Sequence, residues 1–160
     1  NEDIGSLVRQ VDAFDLTGLP VALDHQALDF SYRHSSLQES DLIITSVIFD
    51  LREGNPRRLH AELCETIEKR CCKQPVAQAS AGCIFKRPPC DFAGRLVEIV
   101  GGKGMRVGGA MISEKHANFI ISDGTATARD VLELLELVRT RVHEQEGIWL
   151  DPEVRVLGED

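Results

Sequence analysis

No stretch of about 18 apolar residues occurs anywhere in the chain, which excludes a transmembrane helix and makes a membrane partner unexpected. The opening residues Asn1-Glu2-Asp3-Ile4-Gly5 are acidic and lack a basic start followed by an apolar core, so no secretory signal is expected. Positive charge is also scarce. A net charge of −8 argues against general nucleic-acid binding, which draws on a basic face to release counterions. It does not exclude a small anionic ligand, for which a few converging Lys and Arg suffice. There is no Cys-x-x-Cys pair: Cys64, Cys71, Cys72, Cys83 and Cys90 are odd in number and irregular in spacing. A zinc site is therefore unexpected, and reduced thiols in a cytoplasmic protein fit best. Neither an internal repeat nor a low-complexity segment is present.

What remains is an ordinary soluble composition, 42% hydrophobic and 28% charged over 160 residues, enough for one domain or two small lobes. Leu7 to Phe14 and Pro20 to Leu23 read as a hairpin around Asp15-Leu16-Thr17-Gly18. His25 to Leu28 reads as a short helical turn, and Phe30 to Ser35 as a loop. Leu42 to Leu51, β-branched and apolar, is a strand. Asn55 as cap and Pro56 at the first helical position start a helix. Its apolar face is Leu59, Leu63 and Ile67, with Ala61 and Cys64 alongside, to about Arg70.

After a loop over Val76 to Ala81, Asp91 is expected to cap a second helix, which Gly101-Gly102-Lys103-Gly104 stops. Val107 to Ile112 and Asn118 to Ser122 read as strands flanking the loop Ser113 to His116. Thr127 caps a long helix to about Gln145 with Val131, Leu134, Leu135, Val138 and Val142 as its apolar face. Gly147 ends it, and the chain leaves as extended segments around Pro152. Strands and helices mix without regular βαβ alternation, so the fold class is α+β.

Few polar groups stand out alone. In Ser80-Ala81-Gly82-Cys83-Ile84-Phe85-Lys86-Arg87-Pro88, Gly82 permits close backbone approach to a ligand and two cations follow within a turn. The same residues also read as a strand start with a structural thiol. Gly101 to Gly104 with Lys103 suits either a phosphate cradle or a helix C-cap, and it lacks the spacing of a P-loop or dinucleotide fingerprint. Ser113 to Asn118 suits a binding loop or a solvated one. Glu153 and Arg33, each taken alone, read as surface charges.

Taken in order, these motifs carry a resemblance. Phe30-Ser31-Tyr32-Arg33-His34-Ser35 precedes the Leu42–Leu51 segment and is followed by Lys73-Gln74-Pro75 and Ser80 to Lys86. Gly102-Lys103-Gly104, Val107-Gly108-Gly109-Ala110, Ser113 to Phe119 and Pro152-Glu153-Val154-Arg155 come next. The set resembles the UDP-N-acetylenolpyruvoylglucosamine reductases (UDP-N-acetylmuramate dehydrogenases), flavoenzymes of peptidoglycan precursor synthesis, in their shorter form. The family is about twice this length with an FAD-binding portion first. The resemblance therefore implies a C-terminal half: residues 1–74 ending the FAD-binding domain, 75–149 forming an α/β UDP-sugar-binding domain, and 150–160 returning with the catalytic glutamate. A non-catalytic UDP-sugar-binding module is the alternative.

The resemblance further implies FAD as cofactor, NADPH as reductant and UDP-N-acetylglucosamine enolpyruvate as substrate. Cys83 falls at the proton-donor position, where many members carry serine; a thiol, with an ordinary pKa of about 8.5, is a far stronger acid than an alcohol. Arg33 would meet the substrate carboxylate and its developing charge. Glu153 would organise that end and assist proton transfer. Tyr32, Lys73, Arg87 and His116 would line the UDP-sugar pocket, with Arg87 in place of the usual asparagine, and Arg70 and Arg155 would lie near the flavin.

Overall fold

The hairpin expected near the start is present and is closed by one side chain. The Asp15 carboxylate accepts from Thr17 N at 2.8 Å, from the Thr17 hydroxyl at 2.6 Å and from Leu19 N at 2.9 Å, while Gly18 supplies φ +85°. It joins β1 (Val8–Phe14) to β2 (Pro20–Asp24), and β3 (Ile43–Phe49) adds to the other side of β1 in an antiparallel sheet of order β2-β1-β3. The computed structural model covers residues 3–89 and 91–158. Its chain contacts divide it into two units, Asn1–Arg58 and Leu59–Asp160. In the first unit Val8, Val11 and Leu28 form a small core with Leu23 and Leu37 against it.

Helix α1 (Pro56–Lys73) starts as its sequence requires. Asn55 Oδ1 accepts from Arg57 N at 3.0 Å and Arg58 N at 3.2 Å, with Pro56 first in the helix. It runs past the expected end at Arg70 to Lys73, where Gln74 N reaches back to the Arg70 carbonyl and Pro75 follows. The periodicity is helical as read, yet Leu59, Leu63 and Ile67 are each at least half exposed, and no described residue of α1 is buried. An apolar stripe specifies which side of a helix seeks cover, not what supplies it.

The second unit holds β4 (Ser80–Cys83), α2 (Ala93–Ile99), β5 (Arg106–Val107), β6 (Ala110–Ile112), β7 (Phe119–Ser122) and α3 (Ala128–Glu146). Its sheet is antiparallel with order β4-β7-β6-β5. Helix α3 packs on α2 and on β5 and β6. The core joins Ile84, Phe85, Leu96, Val97 and Ile112 to Leu134, Leu135, Val138, Val142 and Leu150. The apolar face expected for α3 is thus the buried one, with Val131 partly buried at its edge.

Two expectations need correction here. The single strand expected over Val107 to Ile112 is a hairpin turning at Gly108-Gly109; a Cβ on Gly109 would lie 2.4 Å from Ala126 N, so only glycine fits that turn. Asp91 sits one residue outside α2, whose N-cap is Phe92. Its carboxylate accepts from Phe92 N and Arg95 Nε, both at 2.7 Å, and the Arg95 guanidinium holds its pKa down to about 2.

Thr127 is the cap of α3: its hydroxyl accepts from Asp130 N at 3.1 Å while the Asp130 carboxylate accepts from Thr127 N at 2.9 Å. Gly147, at φ +71°, ends the helix. Thr127→Ala removes one half of this reciprocal pair and is expected to destabilise the second unit by about 1 kcal/mol. Thermal unfolding followed by circular dichroism measures this; an unchanged midpoint would show that α3 holds without its cap.

Candidate active site

The site is built on the edge strand β4, which contains a bulge. Ser80 pairs with Ile121 and Cys83 with Phe119, so three steps along β4 match two along β7 and one residue is extra. Gly82 takes φ +85° within that interval. A Cβ on Gly82 would meet nothing within 4 Å, so glycine answers to the backbone angle and not to crowding. The bulge re-aims the next residue, Cys83, which is half-buried at the strand's end.

Beyond Cys83 the chain is held from both sides. On the β7 side, Ile84 N donates to the Asn118 carbonyl at 3.0 Å. The Asn118 side chain then takes over: its Oδ1 accepts from Phe85 N at 3.1 Å and its Nδ2 donates to the Phe85 carbonyl at 2.9 Å. On the far side, Glu153 N donates to the Ile84 carbonyl at 2.8 Å and Lys86 N to the Asp151 carbonyl at 2.8 Å, around an antiparallel bridge between Phe85 and Pro152. Glu153 therefore stands opposite Ile84, one residue from Cys83. Ile84 and Phe85 are both buried in the core, which anchors the backbone between Cys83 and the segment carrying Glu153.

The loop Ser113 to Asn118 packs inward more than a binding loop would. Ser113 is buried, and its hydroxyl accepts from Lys115 N at 3.2 Å and His116 N at 3.4 Å. Asn118 is buried on Phe85, and Lys115 Nζ donates to the Cys71 carbonyl at 2.6 Å, joining the loop to the C-terminal turn of α1. In this loop, which suited binding or solvation equally, Ser113 and Asn118 hold the backbone and Lys115 holds the helix end. Half-buried His116 stacks edge-on to Phe119 at 4.9 Å, and its Nδ1 accepts from Asn118 N at 3.2 Å. Burial, and after it the charge of Lys103, pushes its pKa below the usual histidine value.

Lys73 and Arg70 lie exposed on that last turn of α1, and Arg155 is exposed on the outgoing segment. Arg87 is exposed four residues beyond Cys83, its guanidinium 4.0 Å above the Phe92 ring. Gly101 and Gly104 both have positive φ; Gly102 N bonds to the Val97 carbonyl and Lys103 pairs with Glu98 at 2.9 Å. That is a helix stop, not a phosphate cradle.

Tyr32 and Arg33 belong to the first unit. They occupy a tight turn in which Ser31 and His34 exchange both backbone hydrogen bonds, and Arg33 is held at φ +58°. The turn lines a cleft of about 600 Å³ with Asp3, Ile4, Phe30 and Gln38. A non-glycine residue at such an angle is uncommon, and the surrounding bonds hold it there.

A family model described as the C-terminal domain of UDP-N-acetylenolpyruvoylglucosamine reductase matches residues 74–157. The chain belongs to that family. It is 41% identical to the reductase of that name from Lactiplantibacillus plantarum, over 99% of this chain and 52% of the relative. It is 43% identical to the one from Moorella thermoacetica, over 98% of this chain and 51% of the relative. The crystal structure of UDP-N-acetylenolpyruvylglucosamine reductase from Thermus caldophilus superposes with a TM-score of 0.81 at 36% identity, covering 96% of this chain and 54% of that one. The chain spans about half the length of the curated relatives it matches.

In this reductase family member Cys83 and Glu153, which the resemblance groups with Arg33, lie on adjacent paired segments, Glu153 opposite Ile84. The brace by Asn118 and the bulge are not apparent from the residues. The Ala-Gly-Cys step was the available signal for the bulge, since a lone glycine inside a strand marks one.

The lowered pKa of His116 has a definite sign. The folded chain binds that proton more weakly than the unfolded chain, so stability falls as pH drops from about 6.5 toward the lowered value. NMR titration of the His116 ring is expected to give a midpoint below about 6.5. A midpoint at or above it would show that the ring is not shielded as described.

Proposed function

We propose that this chain forms the substrate-protonating half of a flavin-dependent reductase. The reductase reduces UDP-N-acetylenolpyruvoylglucosamine to UDP-N-acetylmuramate, with NADPH as reductant, in cytoplasmic peptidoglycan precursor synthesis. The observation that carries this reading is the bulged strand of a family member: β4 ends at Cys83, and the backbone of Glu153 pairs with the next residue, Ile84. In this reading residues 1–74 complete an FAD-binding portion, residues 75–149 bind the UDP-sugar, and residues 150–160 bring Glu153 to the reaction.

The chemistry asked of these residues is small and defined. Hydride adds to the terminal carbon of the enolpyruvyl double bond, and the π electrons move toward the carboxylate-bearing carbon as an enolate. Arg33 supplies a permanent cation to that charge. The Cys83 S–H bond then breaks, the proton forms the new C–H bond, and the thiolate is reprotonated from water or through Glu153. Tyr32, Lys73, Arg87 and His116 hold the UDP-sugar; the Arg87 guanidinium over Phe92 and the cations at the end of α1 suit a diphosphate.

FAD, when bound, supplies the hydride. The residues here are compatible with it: Arg70 and Arg155 are exposed cations that would meet its anionic parts.

The test is Cys83→Ala and Cys83→Ser in the full-length reductase. The alanine variant is expected to lose turnover by about 10²-fold or more, and the serine variant to keep a measurable fraction. Equal turnover of wild type and Cys83→Ala would remove Cys83 from the reaction.

A further inference from the structure

We infer that Asn118 is a positioning residue for the reaction: its side chain sets the register of Cys83 against Glu153, although it is buried in the fold. The inference rests on the proposed protonation role of Cys83. Strand β7 begins at Phe119, so the regular ladder with β4 ends at the Cys83–Phe119 pair, directly after the bulge. A bulge leaves one residue unpaired and disrupts the ladder locally, so the segment beyond it needs partners of its own. Asn118 closes this gap with one amide. Oδ1 takes the Phe85 N–H and Nδ2 gives to the Phe85 carbonyl, reproducing the pair of bonds a neighbouring strand would make.

The far side of the same segment carries the Asp151 and Glu153 backbone bonds. The residues from Cys83 to Lys86 are thus a single plank between Asn118 and Glu153. Loosening the plank on one side moves the thiol relative to the carboxylate without removing either. Asparagine is the side chain suited to this, since it offers one acceptor and one donor in a plane at the length of a peptide group. Aspartate keeps the shape but, ionised, loses the donor and sets a negative charge against the Phe85 carbonyl.

Asn118→Ala and Asn118→Asp in the full-length reductase test this. Both are expected to lower kcat by about tenfold or more, the scale set by small misplacements of reacting groups. The NADPH half-reaction, followed as loss of flavin absorbance, is expected to keep its rate. For Asn118→Asp, the ratio of variant to wild-type kcat is expected to rise as pH falls, because a protonated carboxyl again donates to Phe85. Should the alanine variant not fold, the aspartate variant carries the test alone. Cys83→Ala inactive beside Asn118 variants at wild-type kcat would overturn this inference only. Equal loss in both half-reactions, with no pH recovery, would reduce Asn118 to a structural residue and overturn it as well. Cys83→Ala at wild-type kcat would overturn the reading on which it rests.

Discussion

One extra residue in an edge strand governs the arrangement of the second unit's site. Between Ser80 and Cys83, β4 advances three residues while β7 advances two, and Gly82 absorbs the difference at φ +85°. An L-residue at that angle puts its Cβ against its own backbone, so the constraint falls on the backbone itself and not on any neighbour. Everything that follows depends on how the strand recovers after that point. It recovers through Ile84 and Phe85, buried in the core, and through hydrogen bonds to Asn118 on one side and to Asp151 and Glu153 on the other.

The surrounding groups divide by cost. Two buried polar side chains beside the strand are satisfied internally: Ser113 by the loop backbone and Asn118 by Phe85. Burying them without partners would cost on the order of 1–3 kcal/mol each. The cations proposed to meet the UDP-sugar, Lys73 and Arg87, and the flavin, Arg70 and Arg155, are exposed, where charge costs little to keep. His116 lies between the two classes, half-buried and with its proton held weakly. A braced strand thus carries the proposed proton donor, and the proposed ligand-binding cations are long, exposed side chains.

Much of this was legible in the residues. Asn55-Pro56, Thr127 and Gly147 each start or stop a helix where the structure does, because caps act through neighbours two or three residues away. The apolar face of α3 was legible for the same local reason. What was not legible involves distant partners. The half-exposed stripe of α1 has the right period but no cover among the described residues, and periodicity carries no information about cover. Asn118 read as one polar residue among several in a loop, because its partner, Phe85, lies 33 positions away. Gly108-Gly109 was hidden inside an apolar run that suited one strand as well as a hairpin. The pairing of Glu153 with Ile84 could not be read at all, since extended chain around a proline gives no register.

The central claim is that the backbone angle at Gly82 aims Cys83. Gly82→Ala isolates it, because the added methyl meets no atom within 4 Å and only the angle is disturbed. The measurement is the single-turnover rate of substrate reduction by the full-length reductase carrying Gly82→Ala. The account predicts a fall of about tenfold or more in that rate for the folded enzyme, beside a loss of stability of about 1–2 kcal/mol from the strained angle. A wild-type rate would contradict it, showing that Cys83 reaches its place without the bulge.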